Sequence, residues 1–186
     1  MSRIILWLRN DLRLHDNYAL TWALRHQAQS KQILPVFCFD PRNYVKEKSQ
    51  TKYGTRKTGL IRSRFMLETV SKLRADLRDL GSNLILATEQ PEDFIPKLLD
   101  QESENIVVYQ QEICDEELKI EQALISSVNS MAKKNSISAS VESVWGSTLH
   151  HLDDMPYDPN EQLPHVYGRF RDKGSSVKVR ELLPTP

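Results

Sequence analysis

The chain has 186 residues, 25 of them basic and 25 acidic, so its formal net charge at pH 7 is zero. Roughly 100–200 residues make one domain, which leads us to expect one body with a real core, and the charge balance excludes an overall field that would draw nucleic acid or anionic lipid. No stretch approaches the ~20 apolar residues that span a membrane, and the start, MSRIILWLRN, has too short an apolar run for a secretion signal, so the chain reads as cytoplasmic with no membrane partner.

Ile4 to Leu8 is a short apolar run closed by polar residues, which predicts a buried strand reaching water near Arg9. Asp16 is placed to cap a helix whose apolar face carries Ala19, Leu20, Ala23 and Leu24. Ile33 to Phe39 is almost wholly apolar, as in a strand covered on both sides, and Asp40-Pro41 stops it. The polar connection from Pro41 to Thr58 exceeds the ~12–15 residues usual for a structureless loop, a length that goes with function or disorder. From Gly59 to Leu80, Met66, Val70, Leu73, Leu77 and Leu80 make one helical stripe, and Gly81 supplies the C′ residue.

Leu84 to Ala87 predicts a third strand, and Pro91 to Leu99 a short helix in which Pro96 is awkward. Ile106 to Tyr109 is the fourth strand. The next helix turns Ile120, Leu124, Val128 and Met131 inward, with Asp115, Glu116 and Glu117 suiting the positive end of its dipole. A fifth strand, Ala139 to Val144, leads into a tail rich in Pro, Asp and Tyr without a sustained period. The alternation argues for an α/β fold: an open five-stranded parallel sheet with helices on both faces and an irregular C-terminal tail. Ligands of such sheets bind beyond the carboxyl ends of the strands, where strand order reverses. Arg9 to Asn17, Asp40 with its long loop, Gln110 to Glu112 and Gly146-Ser147 all follow strands and should gather on that rim.

Several chemistries drop out. There is no GxGxxG after the first strand and no GxxxxGK[ST], and the tripeptide KTG at Lys57 to Gly59 lacks the partners that would give it catalytic meaning. His15 has no nucleophile beside it. Adjacent side chains such as His150-His151 and Asp153-Asp154 diverge, so no metal site is assigned. Cys38 and Cys114, without CxxC spacing, read as reduced, small apolar residues. Arg9, Asp11 and Arg13 are expected to lock the loop after the first strand through charge-assisted hydrogen bonds, with Asp16 as the cap. Arg56, Lys57, Arg62 and Arg64 form one basic cluster. Arg169, Arg171, Lys173, Lys178 and Arg180 form another, interleaved with Tyr167 and Phe170, a pattern that suits a nucleic acid backbone; a solvated tail or an interdomain linker is the favoured reading. Gln111 and Glu112 together can read a ring with adjacent donors and acceptors, or Glu112 can simply support a helix terminus.

The stretches LWLRNDLRLHDNYAL, VFCFDPRNY, KTGLIRSRFMLETVSKLRADLRDLGSNL and VWGSTLHHLDDMPYDPNEQLPHVYGRFR resemble the amino-terminal, Rossmann-like α/β domain of the photolyase and cryptochrome family. DPR, KTG and WGSTLHHLDDMP are most similar to the DASH branch, and the resemblance covers essentially the whole chain. It implies an antenna-chromophore domain over residues 1–146 and a tail or linker over 147–186 leading toward a helical FAD-binding domain, joined in cis or met in trans. The parent activity so implied is light-driven, FAD-dependent repair of cyclobutane pyrimidine dimers in DNA, or blue-light sensing. Without the helical domain, its flavin site, its electron-relay tryptophans and its lesion pocket, the chain alone should be inactive and touch DNA only through that partner.

Trp7, Trp22 and Trp145 are accordingly core or strand-end residues, and no catalytic residue is assigned. The resemblance puts the folate-contacting pair on Gln111 and Glu112, with methenyltetrahydrofolate held by the Glu112 carboxylate. Gln111 stands where many relatives have Asn. The Pro41–Thr58 loop lacks the histidine some relatives use, leaving Tyr53 or Tyr44 to stack on the pterin. Folate affinity without the second domain is expected to be poor. The rival readings are a small adenine-nucleotide-binding protein of similar fold and a docking module for a separate flavin domain.

Overall fold

The structure, a computed structural model, describes residues 2–27, 30–45, 50–158 and 161–186. Its strands are β1 (Ser2–Leu8), β2 (Ser30–Cys38), β3 (Ile85–Ala87), β4 (Glu104–Gln110) and β5 (Ala139–Val144). All pair in parallel, in the order β3-β2-β1-β4-β5. The chain adds β2 and β3 on one side of β1 and then crosses over to set β4 and β5 on the other. Strand order therefore reverses between β1 and β4, whose registers align Ile4 with Ile106 and Trp7 with Tyr109. The loops leaving these two strands flank the crevice that such a reversal opens.

The helices are α1 (Tyr18–Arg25), α2 (Pro41–Tyr44), α3 (Leu60–Asp79), α4 (Pro91–Phe94), α5 (Asp115–Asn135) and α6 (Tyr167–Gly174). Alternation along β1 divides the core. Ile4, Leu6 and Leu8 pack with Leu20 and Ala23 of α1 and Val70, Leu73 and Leu77 of α3. Ile5 and Trp7 face the opposite way, toward Ile95 after α4 and Leu124 and Val128 of α5. Each strand residue thus serves one helical layer, the two-sided burial that makes these strands read as apolar throughout.

Four local expectations change. Asn17, not Asp16, caps α1: Asn17 is extended and its Oδ1 accepts from Leu20 N–H at 2.8 Å. Asp16 is left-handed at φ 50° and exchanges hydrogen bonds with Leu183 of the tail, at 2.9 and 3.2 Å. On α3 the stripe holds at Val70, Leu73 and Leu77, but Leu80 is 49% exposed because it is already the C-cap. Gly81 does take the left-handed position, and Gly81 N–H to Arg78 and Ser82 N–H to Leu77 close the helix end. Pro96 cannot donate into a helical ladder, so the segment from Pro91 is one α-turn continued by a 3₁₀ turn over Ile95–Leu98. On α5 the inward register runs Glu121, Leu124, Val128 and Ala132, leaving Met131 at the margin.

Elsewhere, the long connection after β2 starts with α2, capped by Asp40, and holds a Gln50–Arg56 bridge, its residues 46–49 lying outside the described residues. The tail is irregular apart from a 3₁₀ turn at Leu152–Asp154 and α6. Because Asn17 is fully buried and its amide also donates to Arg13 O at 3.1 Å, Asn17→Ala should cost about 1–2 kcal/mol in a denaturant melt. Asp16→Ala should leave the α1 cap intact, and equal losses in both variants would contradict this assignment.

Candidate functional site

Arg9 leaves the carboxyl end of β1 and turns inward rather than joining Asp11 and Arg13. Its guanidinium lies 4.4 Å from the Trp7 ring centre and 5.7 Å from that of Tyr109, and it pairs with Glu121 of α5. Those two side chains are only 7% and 5% exposed. Asp11 and Arg13 do pair, by a two-pronged contact at 2.9 and 2.8 Å. Glu121 was not among the residues expected to matter, although the sequence carried a signal: a glutamate in phase with Leu124 and Val128 on the buried stripe. The same Oε1 that meets Arg9 also accepts the Glu112 backbone N–H, at 2.9 Å. One carboxylate thereby ties the rim of β1 to the rim of β4.

Glu112 stands at this junction. Asn10 Nδ2 donates to its Oε1 at 2.7 Å, and Oε2 has no hydrogen bond among the described residues. Gln111 belongs to other surroundings: its backbone N–H bonds Val144 O at 2.9 Å, and the residue lines a second cleft with Tyr18, Trp22, Trp145 and His151. Tyr53 is 79% exposed, with the Lys52 amine 5.0 Å from its ring centre. Gln111, Glu112 and Tyr53 thus lie in three different surroundings. Tyr44 is half-buried, edge-on to Phe39.

Between the β1 and β2 rims lies a cleft of about 210 Å³, lined by Arg9, Asn10, Asp40, Tyr44, Lys57 and Arg62. Ion pairs shape its walls. Arg42 is clasped by Asp40 and, at 2.7 and 2.9 Å, by both oxygens of Glu92, while Lys57 reaches Glu116 at 2.5 Å. Planar guanidinium forks of this kind fix geometry as well as charge. In the tail, His151 accepts from Asp153 N–H at 3.2 Å and Asp154 pairs with Arg180 at 2.6 and 2.8 Å. Among the described residues no His, Cys, Asp and Glu side chains gather as a metal site, and no helix is long and apolar enough to cross a membrane. Cys114 is exposed at the start of α5 instead of buried, whereas Cys38 is in the core.

Burial, reinforced by the Asp40 charge, pushes the Cys38 thiol up to about 12 from 9.0. Burial and then the Glu121 charge push the Tyr109 hydroxyl up to about 12 from 10.0. Both groups hold their protons longer folded than unfolded, so the stability they confer is complete below about pH 9 and is lost as pH rises toward 12. Urea midpoints should fall between pH 8 and 11, with Cys38→Ala softening the onset. A flat profile would contradict it.

The DNA photolyase family model matches residues 4–186. Among curated proteins, the chain is 39% identical over 185 residues to the cryptochrome DASH of Danio rerio, covering 98% of this chain and 33% of that one. It is 37% identical over 179 residues to the blue-light photoreceptor PHR2 of Arabidopsis thaliana, covering 96% and 37%. Among solved structures, the cryptochrome of Synechocystis superposes over all of this chain and 36% of its own, with a TM-score of 0.84 and 32% identity. The chain spans about a third of the length of these relatives. With the five-stranded parallel sheet and its helices superposing along the whole chain, the chain belongs to the DNA photolyase family, as its amino-terminal α/β domain with DASH cryptochromes among its relatives.

Proposed function

We propose that this chain is the antenna-chromophore domain of a DASH-type cryptochrome or photolyase and that its chromophore is methenyltetrahydrofolate, bound at Glu112. The observation that supports this most is the rim carboxylate itself. At the point where strand order reverses, Glu112 has its backbone held by Glu121 and one oxygen held by Asn10, which leaves Oε2 for a ligand. A carboxylate so presented suits the paired N–H donors on a pterin edge. Gln111 and Tyr53 are the other proposed contacts. Tyr53 is exposed on its loop and Gln111 lines the neighbouring cleft, so in this reading a ring at Glu112 draws both toward it. When bound, the folate absorbs light and passes the excitation on.

In this reading residues 1–146 hold the chromophore and 147–186 connect to a helical domain that carries FAD and reaches DNA, for dimer repair or light sensing. The exposed apolar face of α6, at Val166, Tyr167 and Phe170, supports docking of that domain. A cytoplasmic location belongs to the same proposal, although the relative from Solanum lycopersicum is named chloroplastic/mitochondrial. An adenine-nucleotide carrier is less well supported, since the loop after β1 is Arg9 to Asn17 rather than a glycine-rich phosphate cradle. Calorimetric titrations separate the two. Heat on adding methenyltetrahydrofolate and none with magnesium-ATP is the expected result, and tight ATP binding without folate binding would overturn it.

A further inference from the structure

A buried ion pair is weak as a source of stability, because desolvating both charges offsets most of their attraction. The Arg9–Glu121 pair therefore calls for another account, and its neighbours supply one. Glu121 Oε1 also accepts the backbone N–H of Glu112, so the pair fixes the main chain at the proposed ligand. Arg9 directly precedes Asn10, whose amide donates to Glu112 Oε1 at 2.7 Å, so the same pair fixes the donor as well. Arg9 is further confined by the Trp7 and Tyr109 rings and by a contact to Glu117 O at 3.5 Å. Both halves of the Asn10–Glu112 couple thus trace back to one anchor on α5.

We infer that Arg9 and Glu121 are positioning residues for the chromophore site: they hold Glu112 and Asn10 in register across the rim, and folate affinity depends on them although neither touches folate. This rests on the reading of Glu112 as the ligand. Three variants of the chain separate positioning from plain structural support. Glu121→Gln keeps an acceptor for the Glu112 N–H but leaves the Arg9 charge unpaired. The double variant Arg9→Met, Glu121→Leu removes both charges and the acceptor. Glu112→Gln tests the underlying reading.

Positioning predicts opposite orders for stability and affinity. The double variant should melt higher than Glu121→Gln yet bind methenyltetrahydrofolate, followed by fluorescence, about tenfold more weakly than the unmodified chain, while Glu121→Gln recovers most of the affinity. A structural role alone makes affinity follow stability, and that result would overturn the inference. Hydrogen exchange at the Glu112 amide gives a second readout in every variant that folds: faster in the double variant, near the unmodified rate in Glu121→Gln. An unchanged rate in the double variant also overturns it. If Glu112→Gln binds folate as well as the unmodified chain does, the ligand reading itself fails, which is a different outcome from a double variant that binds normally while Glu112→Gln does not.

Discussion

Glu121→Leu made alone is expected to lower stability by about 3–5 kcal/mol, since it strands the Arg9 guanidinium in a site that admits almost no water. For a chain of this length each kcal/mol moves the thermal midpoint by roughly 2–4 °C, so the loss should appear as a drop on the order of 10 °C. Adding Arg9→Met should restore most of it, because the uncompensated charge is gone and Trp7 and Tyr109 already line an apolar slot. The exposed Arg64–Glu68 pair on α3 is the control. Both of its side chains stand mostly in water, and Glu68→Ala should cost under about 0.5 kcal/mol. A Glu121→Leu variant that melts like the unmodified chain would mean that the buried pair does not act as described.

The second large effect is on binding. Glu112→Gln keeps an oxygen for the Asn10 amide, so the rim should stay folded and the melting point should hardly move. What disappears is the charged acceptor. Hydrogen bonds to charged groups contribute about 1.5–3 kcal/mol, which corresponds to a loss of roughly 10- to 150-fold in folate affinity. Gln111→Ala is the informative companion: the residue lines a different cleft, and its loss should cost far less than Glu112→Gln. Fluorescence titration of the three proteins would rank them.

The sheet was legible because buried parallel strands leave an unmistakable mark, runs such as Ile4–Leu8 and Ile33–Phe39 with no polar face. The α3 stripe was legible for the same reason in helical period. Local capping was harder to read. Asp16 and Asn17 are both good cap formers, and what decides between them is Leu183, 167 residues away, which engages Asp16 and fixes its left-handed turn. The burial habits of cysteine do not hold for Cys114, whose position at the exposed start of α5 governs it.

Glu121 shows the limit for the site. Its phase on α5 advertised a buried charge, but its partner lies 112 residues earlier in the chain, and nothing local connects them. The rim of Gln111 and Glu112 was legible in chain position and not in direction. Both residues lie past the last strand position, where alternation no longer dictates direction, and there Glu112 meets Asn10 while Gln111 lines the cleft beside α1. Family resemblance suggested the proposed chromophore. The structure adds the anchor beneath its proposed ligand.

The claim that this domain holds a light-harvesting chromophore is tested most directly by the near-ultraviolet and visible absorption spectrum of the purified chain at equilibrium dialysis against methenyltetrahydrofolate, with Glu112→Gln alongside. An excess folate band on the protein side that is lost in the variant is the expected result. A bare protein spectrum, or a band of equal height in Glu112→Gln, would contradict it.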